Sequence, residues 1–283
     1  MMAEGLLDPR TIRELAAELD LRPTKQRGQN FVHDANTVRR IVAAAKLTAD
    51  DVVLEIGPGL GSLTLGLLEA VRHVTAIEID DRLAGRLART VTERSPGADR
   101  RLAVLEADAL RVNVLPDPQP TAVVANLPYN VSVPVLLHVL ASFATIRSGL
   151  VMVQAEVADR LVAAPGSKVY GVPSVKLAWY CSARRVGSVP PPVFWPVPNV
   201  DSGLVALQRR DPPPTSATRQ QVFALVDAAF AQRRKMLRSA LAGVYGSSGA
   251  AAAALEAAGL DPMARGEVLG VVDFARLAEQ SRP

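Results

Sequence analysis

Five short runs rich in β-branched residues recur between residues 50 and 160, and helix-length amphipathic stretches separate most of them. The runs DVVLEIG (51–57), RHVTAIEID (72–80), RLAVLEAD (101–108), TAVVAN (121–126) and SGLVMVQAE (148–156) read as strands. SLTLGLLEAV (62–71) and RLAGRLARTVTER (82–94) read as helices between them. That alternation specifies a doubly wound, Rossmann-like α/β sheet that places ligands at the carboxyl ends of its strands. DANTVRRIVAAAKL (34–47) predicts a preceding helix with Asp34 as its N-cap.

The pattern changes after residue 180. RRVGSVPPPVFWPVPNVDSGLVALQRR is proline-rich and strand-like, and predicts a hairpin whose arms flank an irregular loop. DPPPTSAT (211–218) reads as a linker. RQQVFALVDAAFAQRRKMLRSALAG and the Ala-rich stretch at 249–258 read as helices. The expected plan is a larger α/β domain over 1–210 and a small all-α domain over 211–283. Hydrophobic residues make up 49% of the chain, enough for a sizeable core.

Several classes are set aside by what the chain lacks. Its longest apolar runs fall short of the ~18 residues that span a bilayer, and MMAEGLLDPR lacks the order of a signal peptide. A cytoplasmic protein with no membrane partner is expected. Cys181 is alone, and His33, His73 and His138 are scattered without ligand spacing, so no metal site is expected. Net charge is +4, yet residues 183–238 hold nine basic residues (Arg184, Arg185, Arg209, Arg210, Arg219, Arg233, Arg234, Lys235 and Arg238) against three acids. The remainder is therefore slightly acidic. A basic stretch on such a body fits a phosphate backbone, although a solvated helix face would carry the same charge.

EIGPGLGSL (55–63) closes the first strand and opens a helix. Its glycines admit close backbone approach, and the helix start offers free N–H groups. Ser62 stands where a dinucleotide fingerprint needs its third glycine. Glu55, Gly57, Gly59 and Gly61 instead match the E-x-G-x-G-x-G pattern of S-adenosylmethionine (SAM) methyltransferases. Glu78 ends the second strand, in register to take two ribose hydroxyls. Asp108 ends the third, where a carboxylate can accept from an exocyclic amine.

The fourth strand ends on Asn126-Leu127-Pro128-Tyr129. This turn matches the (Asp/Asn/Ser)-Pro-Pro-(Tyr/Phe) type of amino-group methyltransferases. Conjugation into the ring makes the exocyclic amine of adenine a weak nucleophile. The Asn126 amide oxygen and the Leu127 carbonyl can accept its N–H bonds and localise the lone pair. Pro128 stiffens the turn, and Tyr129 offers a face on which a base stacks, worth ~1–3 kcal/mol. A strong base is unnecessary, because the methylated aminium loses its proton to water.

From about residue 21 almost to the C-terminus, the chain resembles the bacterial small-subunit (16S) rRNA adenine-N6,N6-dimethyltransferases, the KsgA/RsmA family. RPTKQRGQNFVHD, EIGPGLGSLT, NLPYNVSVPVL, VYGVPSVKLAWY, PPPVFWPVPNVDSGLVAL, FAQRRKMLRSAL and GLDPMARGEVLGVVDFARLA carry the resemblance in order. It implies a class I SAM-methyltransferase fold, with Asn30, Val32, Gly57, Gly59, Glu78, Asp108 and Asn126 lining the cofactor. Tyr129 and Phe194 would sandwich the adenine, and a packed core Phe is the competing reading for Phe194. Arg184, Arg185, Arg233, Arg234, Lys235 and Arg238 would bind RNA. The implied substrate is two adjacent adenines in the 3′-terminal hairpin of 16S rRNA, in the small ribosomal subunit or its precursor, and the enzyme is expected to act as a monomer. Pro173, where the family usually has Leu, and Asn199, where it usually has Lys, depart from the pattern. The alternatives are a 23S rRNA adenine methyltransferase of the macrolide-resistance type and a ribosome assembly factor with dispensable catalysis. A DNA methyltransferase is less favoured.

Overall fold

The computed structural model describes residues 5–21 and 30–280. Its chain divides into two compact units, Met1–Ala158 with Arg184–Arg209, and Asp159–Ala183 with Arg210–Pro283.

The first unit begins with α1 (Pro9–Glu18), which the sequence pattern did not single out. Asp8 caps it by accepting from the Thr11 amide at 2.8 Å, and Pro9 occupies the first turn, where its missing N–H costs nothing. After β1 (Phe31–Val32), Asp34 caps α2 (Ala35–Ala45) through the Thr37 amide, as expected. There follow β2 (Val52–Ile56), α3 (Ser62–Ala70), β3 (His73–Glu78), α4 (Asp81–Arg94), β4 (Leu102–Glu106), β5 (Ala122–Asn126), α5 (Ser132–Ser142) and β6 (Ser148–Gln154). All five expected strands form, each trimmed by a residue or more at one end or both; β5 keeps its C-terminal limit, Asn126, as read.

Seven strands make one sheet, ordered β4-β3-β2-β5-β6 and then β9 (Ser202–Arg209) and β7 (Cys181–Val189). The first five are parallel, and β9 joins β6 antiparallel, Met152 opposite Leu204. All five residues of β2 are buried, as expected for a strand covered on both faces. The order reverses at β2: the chain builds β3 and β4 on one side, then crosses to β5 on the other. Such a switch point opens a crevice beyond the strand ends, here between Gly57 and Asn126.

The irregular loop of the β7–β9 hairpin contains a further strand, β8 (Phe194–Trp195), paired antiparallel with β1. The Phe31 and Trp195 rings stack with centroids 6.3 Å apart.

The second unit is helical, formed around α7 (Val172–Ala178), α8 (Arg219–Ala231), α9 (Leu237–Ala240), α10 (Ala242–Tyr245), α11 (Ser248–Ala257) and α12 (Val271–Ala278); α6 (Ala155–Leu161) crosses the boundary in sequence. Residues 159–183 group with these helices rather than with 1–210. Tyr170 explains why: its ring meets Phe230 edge-on at 6.0 Å and its hydroxyl donates to the Leu269 carbonyl at 2.8 Å. Lys176 pairs with Asp227 at 2.7 Å, and Trp179 and Tyr180 both pack on Phe223. Among the described residues no helix is long and apolar enough to cross a membrane.

Candidate active site

A cavity of about 550 Å³ opens at the switch point, within the size range of cofactor sites. Its lining includes Asn30, Val32, Gly57, Gly59, Glu78, Asp108 and Asn126, so every residue expected to line the cofactor borders one space. The rest of the RPTKQRGQ segment expected beside them, residues 22–29, lies outside the described residues.

Backbone geometry explains the glycine loop. Gly57 and Gly59 adopt φ of +66° and +59°, which side-chain-bearing residues rarely do. A Cβ on Gly59 would stand 2.7 Å from the Phe31 ring, so β1 closes over the loop only because no side chain is there. The Glu78 carboxylate is held rigidly: Oε2 accepts from the Gly59 amide at 3.1 Å, and Oε1 from the Ile79 and Asp80 amides at 2.9 and 3.1 Å. Burial pushes its pKa up, and these three amides oppose the rise. Asp108 accepts from the Leu110 amide at 2.9 Å, which fixes its carboxylate at the cavity edge.

Glu55 is fully buried beneath the loop and accepts from the Thr64 hydroxyl at 2.7 Å. Burial, with a smaller contribution from Glu78, lifts its pKa to about 8, so at neutral pH Glu55 holds its proton.

At the other lip, Asn126 Nδ2 donates to the Asn30 carbonyl at 2.9 Å. A carbonyl only accepts, so the amide must present its nitrogen there, and Oδ1 is left as the acceptor for another group. Pro128 borders the cavity and also faces Gly57, where an added Cβ would meet the proline ring at 3.8 Å. Leu127 is buried, its amide donating to the Met152 carbonyl at 3.0 Å, which ties the turn to β6. Tyr129 is half-buried, and its hydroxyl shares a 2.8 Å hydrogen bond with Ser202 Oγ.

A family model described as ribosomal RNA adenine dimethylase matches residues 21–279. The chain belongs to this family. A ribosomal RNA small subunit methyltransferase A from Thermobifida fusca is 64% identical over 274 residues, covering 97% of this chain and 96% of that one. Its namesake from Kineococcus radiotolerans is 66% identical over 275 residues, covering 97% and 91%. Among solved structures, the 23S rRNA methyltransferase ErmE superposes with a TM-score of 0.64 at 29% identity, covering 89% of this chain and 99% of that one. A dimethyladenosine transferase from Plasmodium falciparum superposes with a TM-score of 0.73 at 24% identity, covering 87% and 95%, and shows the same fold. The chain is a SAM-dependent rRNA methyltransferase with the Rossmann-like class I sheet.

The donor set of the dimethylase cavity fits SAM. Glu78 and Asp108 suit ribose hydroxyls and an adenine amine, and the positive-φ glycines let backbone approach. Ser62 Oγ, buried at the cavity wall, has no partner among the described residues. Sequence reasoning missed the apolar walls, Ile79 and Leu110, which border the cavity although Ile79 is 69% exposed. Their signal was an apolar residue directly after one strand-end acid and two beyond the other.

Two expected roles find no support in this conformation. Phe194 is 0% exposed and belongs to the core cluster with Phe31, Val32, Val189 and Leu204. Pairing of β8 with β1 turns it inward, away from the cavity lining, so it offers no face to an adenine in this conformation. Arg233 is engaged inside its own unit, donating to Glu267 at 2.9 Å and to the Lys168 carbonyl at 2.7 Å. Arg234 and Lys235 are exposed, and Arg238 is half-buried; in the first unit, Arg184 and Arg185 are exposed on the edge strand β7.

Proposed function

We propose that this dimethylase converts two adjacent adenines of the 3′-terminal hairpin of 16S rRNA to N6,N6-dimethyladenine during small-subunit biogenesis. The observation that carries the chemistry is the orientation of Asn126. With Nδ2 held by the Asn30 carbonyl, Oδ1 is available to accept an N–H of the target amine beside the cavity. The Leu127 carbonyl takes the second N–H, and the amine lone pair is thereby localised toward the methyl group.

The bound cofactor supplies an electrophilic methyl carried on sulfur. Glu78 would hold its ribose and Asp108 its adenine amine, with Ile79 and Leu110 against the adenine faces. Tyr129 would stack the unstacked target base. A neutral amide serves both rounds, because it orients the primary and then the monomethylated amine without burying a charge. The proton released from each aminium passes to water. Arg234, Lys235 and Arg238, with Arg184 and Arg185 on the catalytic unit, would meet rRNA phosphates. Action in the cytoplasm as a monomer is part of the same reading.

The small-subunit substrate is supported by relatives bearing that name at 64% and 66% identity, against 29% for the 23S enzyme. Unmethylated 30S and 50S particles offered separately with SAM distinguish the two. Dimethyladenine is expected in 16S rRNA; its appearance only in 23S rRNA would reassign the substrate.

A further inference from the structure

We propose that Ser202 is a positioning residue for methyl transfer, acting through the hydroxyl of Tyr129. Ser202 is 0% exposed at the start of β9, opposite Gln154 of β6. Its Oγ lies 2.8 Å from the Tyr129 hydroxyl. Stacking on a base needs only an aromatic ring, so the hydroxyl has a different task. Bonded to Ser202, it pins the far end of the ring to the sheet, while the backbone at Leu127 pins the near end through the Met152 carbonyl at 3.0 Å. A ring fixed at both ends cannot swing about its Cα–Cβ bond. The base resting on it is then held in one pose relative to Asn126, three residues earlier.

The sheet makes this fixation stiff. Ser202 and Met152 lie on neighbouring strands whose pairing runs unbroken from Ser148 opposite Gln208 to Gln154 opposite Ser202. Both anchors of the turn therefore sit on the β6–β9 ladder. The bond also satisfies two hydroxyls that water reaches poorly, and burial raises the Tyr129 pKa, so the phenol stays protonated through neutral pH. Removing either hydroxyl leaves the other without its partner, whereas removing both leaves neither stranded.

The inference rests on the proposed stacking role of Tyr129, and three variants separate the two ideas. Tyr129→Ala tests stacking; Tyr129→Phe and Ser202→Ala test the tether. Single-turnover methylation of unmethylated 30S particles and SAM affinity by calorimetry are measured for each, and for Tyr129→Phe/Ser202→Ala. Tyr129→Phe and Ser202→Ala are each expected to lower the methylation rate about tenfold, as a loosened pose does. The double variant should be no slower than either single, and SAM affinity should stay within twofold of wild type. Additive losses, or wild-type rates in Tyr129→Phe, would overturn the tether even if Ser202→Ala folded poorly. Wild-type rates in Tyr129→Ala would instead overturn stacking itself.

Discussion

The side chain of Asn126 and the backbone of Asn30 are joined by a 2.9 Å hydrogen bond that dictates which end of the amide acts chemically. Asn126 ends β5, and Asn30 leads into β1, 96 residues earlier. Since the carbonyl requires a donor, asparagine and aspartate are not equivalent here. Asn126→Asp would set a carboxylate oxygen against the Asn30 carbonyl and bury a charge. We expect a loss on the order of a hundredfold in single-turnover rate, the scale of a misplaced reacting group. Near-wild-type turnover by Asn126→Asp would show that the Asn30 bond does not orient the amide.

Gly59 and Phe31 form the second lock on the cavity. A Cβ at Gly59 would sit 2.7 Å from the Phe31 ring, on backbone at φ +59°. Gly59→Ala should cost about 1–3 kcal/mol in urea unfolding and weaken SAM binding. Adding Phe31→Leu should recover part of the stability, because it relieves the contact but not the backbone strain. Full recovery would place the whole effect in the ring contact.

Glu55 gives the fold a pH signature. Its pKa rises from 4.5 to about 8 on folding, so below the lower value both states hold the proton and no penalty arises. Between the two values the unfolded chain releases a proton that the native state retains, and stability falls as pH rises until the folded group ionises. Glu55→Gln keeps an acceptor for Thr64 and removes this term. The melting temperature of the variant minus that of wild type should therefore increase from pH 5 to pH 8 and level off above it. A difference that is flat with pH would mean that Glu55 is ionised in the native protein.

The basic residues of the helical unit set salt dependence. Replacing Arg234, Lys235 and Arg238 with Gln should make the plot of log affinity for 30S particles against log salt shallower by about two to three. Arg233→Gln should change thermal stability instead, because its guanidinium is bound to Glu267 and the Lys168 carbonyl. An equal loss of salt slope from Arg233→Gln alone would return that residue to the RNA surface.

How much of this was legible depends on the range of the interactions. The strands, the glycine loop and the acids at 78 and 108 are written in local periodicity, and they meet at one cavity because the topology brings strand ends together. The β1–β8 ladder is two residues long on each side, too short to leave a pattern, and it decides the burial of Phe194. A proline-rich stretch around Phe194 does not distinguish a ring at the mouth from one folded into the core. Arg233 escapes a local reading for a related reason: its partner Glu267 is 34 residues away. Ser202 leaves no signal either, since a serine at a strand start says nothing of a tyrosine 73 residues earlier.

The most direct test is mass spectrometry of the 3′-terminal fragment of 16S rRNA after unmethylated 30S particles are incubated with SAM and either wild-type protein or Asn126→Ala. Two N6,N6-dimethyladenines are expected with wild type, and formation slowed on the order of a hundredfold or more with the variant, which has no acceptor at that position. Dimethyladenine formed by Asn126→Ala at the wild-type rate would contradict the role assigned to the Asn126 amide.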